Sequence, residues 1–455
     1  MSEAVLHRNW SSRYVFIMAS IGSTVGLSNI WKFTYLVGEN GGGAFVLIYL
    51  ASLIFLGIPV LTSEFMLGKL GGRSMVGSFA LLSQKEGLSR HWQVFGWVSM
   101  ITVFMILSFY CVIAGLTIDY TVSTLAGSLS AGSAEEAVSY YNDILSNPLR
   151  LIVFSGSFVL FTTAIVARGV GAGLEKSTRW MMPGLFVILI GLLIYSGLTG
   201  EFVQALRFML VPDFEKINAT VALTAFGQAF FSLGIGLGVM LTYGAYMPRE
   251  ASVARSSVTI ALADGLVAII AGLAIFPIVF QYQLSPAEGP GLIFMTLPIA
   301  FGQMPGGNYV GALFFVLLAF AALSSSISLL ESVISRLEEL YPNSRSRITW
   351  IAGTLLWLTG WLTVFSFNVW SDFMPFNGFR PLAGKTVFGL IDYVASNLIM
   401  PVGGILMAVI GGWFISKHTS QSSLSLSPSW LFSVWRFLVR YVAPVAVLLI
   451  FLSNL

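Results

Sequence analysis

Charge is what this chain has least of. Asp, Glu, Lys and Arg make up 9% of its 455 residues, against roughly a quarter in soluble domains, so a water-facing globular surface is excluded. Cysteine occurs once, at Cys111 inside an apolar run, which rules out an intrachain disulfide and argues against redox chemistry. The three histidines, His7, His91 and His418, stand at the edges of apolar runs and offer no metal-binding pair, so an intramembrane enzyme is not expected. The net charge of +3 forms no basic tract, and no nucleic-acid partner is expected.

What fills the chain is apolar sequence, 56% of it hydrophobic, in recurring stretches of the length a bilayer requires. The fold class is an all-α integral membrane protein. About eleven transmembrane helices are expected, near Tyr14–Val37, Ala44–Leu67, Trp92–Leu125, Leu149–Val166, Ser177–Ser196, Asn218–Tyr246, Ser256–Tyr282, Asn308–Leu337, Arg347–Phe367, Ala383–Ile415 and Trp430–Leu452. The first run follows Arg8 and Arg13, is long, and lacks a small-residue cleavage site, so it reads as a span rather than a signal peptide. Basic residues concentrate on one side, among them Arg8, Arg13, Lys69, Arg73, Arg168, Lys176, Arg249, Arg345, Lys417, Arg436 and Arg440. That bias puts the N-terminus in the cytoplasm of a cell-membrane, multi-pass protein, and an odd number of spans leaves the C-terminus outside. The longer loops fall on the outer side. One, at 126–148, carries Glu135, Glu136 and Asp143; the other, at 284–307, contains Pro286, Pro290, Pro298 and Pro305 and should fold as short helices.

Two spans are broken at mid-depth by small residues. The first reads Gly22-Ser23-Thr24-Val25-Gly26-Leu27-Ser28-Asn29, and the sixth reads Ser232-Leu233-Gly234-Ile235-Gly236-Leu237-Gly238. Backbone freed inside a bilayer must find partners within the protein, whereas half-helix ends and free carbonyls suit ions and a charged small molecule. First and sixth are corresponding positions in two five-helix halves, as an inverted repeat requires. Residues 1–200 then form one repeat, 201–418 the second, and 419–455 an additional helix. A secondary transporter is the expectation.

Several motifs carry a resemblance: Arg13 through Asn29, Glu39-Asn40-Gly41-Gly42-Gly43-Ala44-Phe45, Gly57-Ile58-Pro59 with Glu64, Gly227-Gln228 before Phe230-Phe231-Ser232, Thr242-Tyr243-Gly244-Ala245-Tyr246, and Leu323-Ser324-Ser325-Ser326. Together they resemble the neurotransmitter:sodium symporter family, in its bacterial hydrophobic amino-acid type. The resemblance runs through the tenth span and implies a LeuT-type fold working by alternating access. Many relatives carry a twelfth helix outside the repeats; its lack here bears on oligomerisation, and a homo-oligomer stays open.

The resemblance also implies a site. One sodium ion would be held by the Thr24 carbonyl, Asn29, Ser232, Asp264 and the substrate carboxylate. A second would be held by carbonyls of Gly22, Val25 and Ala321 with the hydroxyls of Ser324 and Ser325; hydroxyl runs in membrane helices otherwise back-bond to their own helix. Amides near Leu27 and Ser28 and the Tyr110 hydroxyl would bind the substrate carboxylate, and carbonyls of Thr24, Phe231 and Gly234 its ammonium. Ile106, Ile113, Phe231, Leu237, Ser328 and Leu329 would surround its side chain. Asp264 stands where the family has a neutral Asn, and chloride-dependent relatives line an anion with positions matching Tyr49, Gln228 and Ser232. An acid within a span is costly unless it has a role, so Asp264 is expected to make chloride unnecessary. In other bacterial relatives the corresponding acid lies one turn on, where this chain has Ala268. Glu64 is expected to bond the unwound backbone.

Lys32 and Asp392 match the family's outer gate, with a point charge replacing a planar guanidinium. Arg8 and Glu339, with Trp10 and Tyr246, resemble the inner gate. Gly173 and Pro183 match the spacing with which the family unwinds its fifth helix; a plain proline kink is the alternative. The expected function is sodium-coupled symport of neutral, hydrophobic amino acids, with a sodium-independent or proton-coupled carrier and a membrane amino-acid sensor as alternatives.

Overall fold

The computed structural model describes residues 10–453 apart from 88, 90, 128–132, 288 and 290. The described chain is helical, and its only strand-like pairing is an isolated bridge between Gly42 and Pro212. Among the described residues, nine helices are long and apolar enough to cross a membrane: Gly43–Gly71, Trp92–Leu125, Pro148–Ala167, Val170–Thr199, Val253–Gln281, Gly307–Leu340, Arg345–Ser366, Val387–Phe414 and Ser429–Ser453. A tenth span is the pair Arg13–Thr24 and Ser28–Glu39, bent by 52°. Ala219–Ser232 and Val239–Ala245, separated by the second glycine-rich break, complete the eleven expected.

Local chemistry explains where these helices start. Ser12, Asn147, Asn218 and Ser252 each accept a backbone N–H of the first turn through the side chain, which satisfies donors that a helix leaves free. Asn147 is followed by Pro148 at the first helical position, where a missing N–H costs nothing. The fifth span starts at Val170, earlier than Ser177, because Gly169 turns the chain at φ 83° and a wide turn over Val170–Glu175 runs straight into the helix.

Burial separates inner from outer spans. In the third and seventh, 67% of the most apolar stretch is buried, against 28% in the eleventh, so the eleventh lies at the periphery with its apolar face toward lipid. Short helices lie between the spans. Ala134–Ser146 and Leu292–Gln303 occupy the two long loops. Met75–Lys85 and Phe202–Leu210 are additions that the search for 20-residue apolar runs passes over.

Candidate functional site

The two breaks meet at the centre of the bundle. In the sixth span, Gly234, Gly236 and Gly238 all have positive φ (62°, 89° and 75°), a region that side chains resist. Gly236 is also pressed against the tenth span, since a Cβ there would lie 2.4 Å from the Met400 carbonyl oxygen. Its freed N–H donates to Glu64 Oε1 at 2.6 Å, so a buried acid of the second span takes up the backbone donor that the break releases.

Beside the first break, Asn29 ties three elements together. Its Nδ2 donates to Ser232 Oγ (3.0 Å), to Asp264 Oδ1 (2.9 Å) and to the Asp264 carbonyl (3.1 Å). Its Oδ1 accepts from the Gly26 amide and the Ser28 hydroxyl. Asp264 is fully buried, and its Oδ2 accepts from Ser232 Oγ and, at 3.3 Å, from Tyr49 OH. Gln228 donates to the Ser28 carbonyl at 2.8 Å. Asn29, Ser232 and Asp264, named from sequence, therefore form one oxygen-rich cluster with Tyr49 adjoining it. Hard cations take such oxygen donors.

The other predicted cation set also comes together. A Cβ on Gly22 would lie 3.3 Å from Ser324 Cβ, and one on Gly26 would lie 2.5 Å from Ser325 Oγ. The first break thus rests on the serine run of the eighth span. Both hydroxyls donate to the Ala321 carbonyl, at 2.9 and 3.3 Å.

Between the breaks lies a cavity of about 230 Å³. Thr24, Leu27, Ser28, Ser232 and Gly234 contribute its polar parts. Ile106, Tyr110, Ile113, Phe231, Leu237 and Leu329 line it as expected. Tyr110 OH is buried without a hydrogen-bond partner. Ser328 does not line it; its hydroxyl back-bonds to the carbonyls of Ser324 and Ser325. The sequence reading missed Trp31, Phe109, Phe388 and Met400 among the lining residues. These are apolar side chains among many, and only the crossing of the helices selects them.

Lys32 and Asp392 both border the cavity without forming an ion pair. Lys32 Nζ lies 3.8 Å from the Phe231 ring centroid, and Asp392 Oδ1 accepts from Ser396 Oγ at 2.8 Å. On the opposite side, Arg8 lies outside the described residues. Trp10 donates its N–H to the Tyr246 carbonyl at 3.0 Å and stacks edgewise on Tyr243. Glu339 accepts from Ser74 N and Oγ, both at 2.6 Å, and pairs with Arg336 at 3.0 Å, which holds the residue that caps the helix Met75–Lys85. Tyr246 OH donates to the fully buried Glu331, which pairs with Arg345. Glu331 was missed, although the reasoning that singled out Asp264 applies to any acid within a span.

Gly173 and Pro183 sit in a fifth helix that is wound throughout. A Cβ on Gly173 would lie 2.0 Å from the Ile165 carbonyl oxygen, so that position admits no side chain. Next to it, Glu175 accepts from Ser11 N and Oγ, each at 2.7 Å. The described chain at Ser11 is thereby clasped to the fifth span.

Eleven spans, two of them broken around a central cavity with oxygen-rich clusters, define a polytopic membrane transporter. The chain matches the sodium:neurotransmitter symporter family over residues 7–144 and 151–455, and it belongs to that family. It is 36% identical to the uncharacterized sodium-dependent transporter YhdH of Bacillus subtilis, over 98% of this chain and 97% of that protein. An uncharacterized sodium-dependent transporter of Haemophilus influenzae is 31% identical, over 98% of both chains. Among solved structures, MhsT in complex with L-phenylalanine superposes with a TM-score of 0.89 at 37% identity, covering 99% of this chain and 100% of that one. The fold is therefore the LeuT type, and the protein is a sodium-dependent transporter rather than an enzyme.

Proposed function

We propose that this protein couples the inward movement of sodium to uptake of neutral, hydrophobic amino acids, aliphatic and aromatic, by alternating access across the cell membrane. The observation that carries the reading is the cavity between the two breaks: unwound backbone supplies polar groups on one side, and apolar side chains form the rest of the wall. A zwitterion with an apolar side chain matches that division. Its carboxylate would meet the amides near Leu27 and Ser28 and the unpaired Tyr110 hydroxyl, and its ammonium the carbonyls of Thr24, Phe231 and Gly234. The resemblance to a phenylalanine-bound transporter supports the same class.

Two sodium ions are part of the proposal. The first would sit among Thr24, Asn29, Ser232 and Asp264 and touch the substrate carboxylate, which links occupancy of one to the other. The second would sit among Gly22, Val25, Ala321, Ser324 and Ser325, with both hydroxyls turned from Ala321 to the ion. Asp264 would supply the negative charge that chloride provides elsewhere, because Tyr49 and Ser232 already donate to its carboxylate.

Uptake of radiolabelled leucine and tryptophan into proteoliposomes tests the reading. Transport should require a sodium gradient, and neutral apolar amino acids should compete. Lysine, glutamate and aspartate should not, since an unpaired charge is costly to bury. Uptake that persists in potassium with no sodium, or selectivity for glycine alone, would refute it.

A further inference from the structure

The last span carries two arginines that the transport site does not use. Arg436 and Arg440 lie one turn apart, and both face the end of the tenth span. Arg440 Nε donates to the Gly412 carbonyl at 2.5 Å, and Arg436 Nη2 approaches the Ile415 carbonyl at 3.4 Å. These contacts fix their depth. Counted from Ser429, Arg440 would lie about 16 Å along the helix, well inside a bilayer, where an arginine is costly. Packed against residues 412–415, it lies level with the end of the tenth span instead, the depth at which a helix that crosses a bilayer meets the headgroups.

Neither guanidinium has a carboxylate partner. The ion pairs among the described residues are made by Arg150, Arg179, Lys216, Arg336 and Arg345. Glu86, which reaches this corner, accepts from Ser416 and Thr419. Arg436 Nη1 is buried with no hydrogen-bond partner, an arrangement that leaves an expensive donor unmet. Around the pair stand half-exposed aromatic rings. Arg440 stacks over Trp413 at 4.9 Å, Trp413 packs edgewise on Tyr441, and Tyr441 meets Phe437; Trp430 is exposed below them. Aromatic rings of this kind gather at the headgroup level of membranes.

We propose that Arg436 and Arg440 form a binding site for the phosphate of an anionic phospholipid, in the cytoplasmic leaflet on the orientation read from the basic residues. Two guanidiniums offer forked donors that match phosphate oxygens. The surrounding rings and apolar face suit acyl chains, which a free phosphate ion lacks. A lipid held here would bridge the tenth and eleventh spans.

Binding of fluorescent phosphatidylglycerol to the detergent-purified full-length protein tests this, with unlabelled phosphatidylglycerol, phosphatidylcholine or inorganic phosphate as competitor. The native protein should prefer phosphatidylglycerol to phosphatidylcholine by roughly tenfold or more, and millimolar phosphate should not compete. The double substitution R436Q/R440Q should weaken phosphatidylglycerol binding by roughly tenfold to thirtyfold, at about one charge's surface attraction per arginine, and leave phosphatidylcholine binding unchanged. R436K/R440K, which keeps the charge but loses the forks, should fall between the two, while R207Q in the opposite loop should bind as native. Equal native affinity for both lipids overturns the site, as does a preference that survives in R436Q/R440Q. Displacement by millimolar phosphate overturns the lipid assignment. Should R436Q/R440Q prove aggregated, the native lipid ratio and the lysine pair decide, and a lysine pair that binds as native removes the guanidinium forks from the account.

Discussion

Three donors, from Asn29, Ser232 and Tyr49, converge on the Asp264 carboxylate, and the proposed charge balance rests on that one residue. Replacing chloride by gluconate should leave the native initial rate of uptake unchanged. Asp264→Asn should cut it, and chloride should then restore part of the loss; a native rate that collapses without chloride would remove the charge-balancing role. Ser325 bears on the other cluster. Its hydroxyl lies against the first break, and Ser325→Ala removes a proposed sodium ligand, a loss that would cost about 1–3 kcal/mol. The half-saturating sodium concentration for substrate binding should rise roughly tenfold to a hundredfold, and an unchanged sodium dependence would exclude the residue. Leu237 lines the cavity between two glycines of positive φ. One methylene in an apolar pocket is worth only about 1–3 kcal/mol, so the native range should be broad. Leu237→Phe should exclude tryptophan before leucine in competition assays, and equal loss of both would contradict that role.

At the scale of elements, the fifth helix stands out because its first turns are both wound and clasped. The Gly173 turn abuts the fourth span, and Glu175 holds the Ser11 amide and hydroxyl. Glu175 is thus the side chain that holds the segment around Ser11 to this helix. Hydrogen bonds to a charged acceptor contribute about 1.5–3 kcal/mol. Glu175→Gln should therefore raise amide exchange in the segment around Ser11 by roughly tenfold, measured by hydrogen–deuterium exchange. Protection equal to native would show that the clasp contributes nothing. The Lys32 side chain, lying on Phe231 instead of pairing with Asp392, contrasts with the tightly bonded opposite end of the bundle, where Tyr246, Glu331, Glu338 and Arg345 join the sixth, eighth and ninth spans.

For the molecule as a whole, stability draws on a second charge pair, partly buried, that does not line the cavity. Asp119 of the third span is 1% exposed and is met by Arg150 at 2.5 Å; Arg150 also donates to Tyr140 of the outer helix Ala134–Ser146. Removing one partner of such a pair costs about 3–5 kcal/mol, whereas removing both costs less. Arg150→Met should lower the thermal midpoint in detergent, and adding Asp119→Asn should recover part of it; additive losses would exclude the coupling. The pair also marks where reading the chain alone stops. Eleven spans, the two breaks and the family were legible in the sequence, because a bilayer demands long apolar runs and tolerates glycine-rich interruptions only where backbone finds a partner. Asn29 and Asp264 were legible as well, since a polar group inside a span demands a role. Tertiary structure alone decided which partner each polar group takes. It matched Glu64 with Gly236, Asp119 with Arg150 and Glu331 with Arg345, and it turned Ser328 away from the cavity while bringing Phe109, Phe388 and Met400 into it. Hydropathy is a property of a segment, whereas a hydrogen bond or a cavity wall depends on how separate helices cross, and residues far apart in the chain carry no mark of meeting.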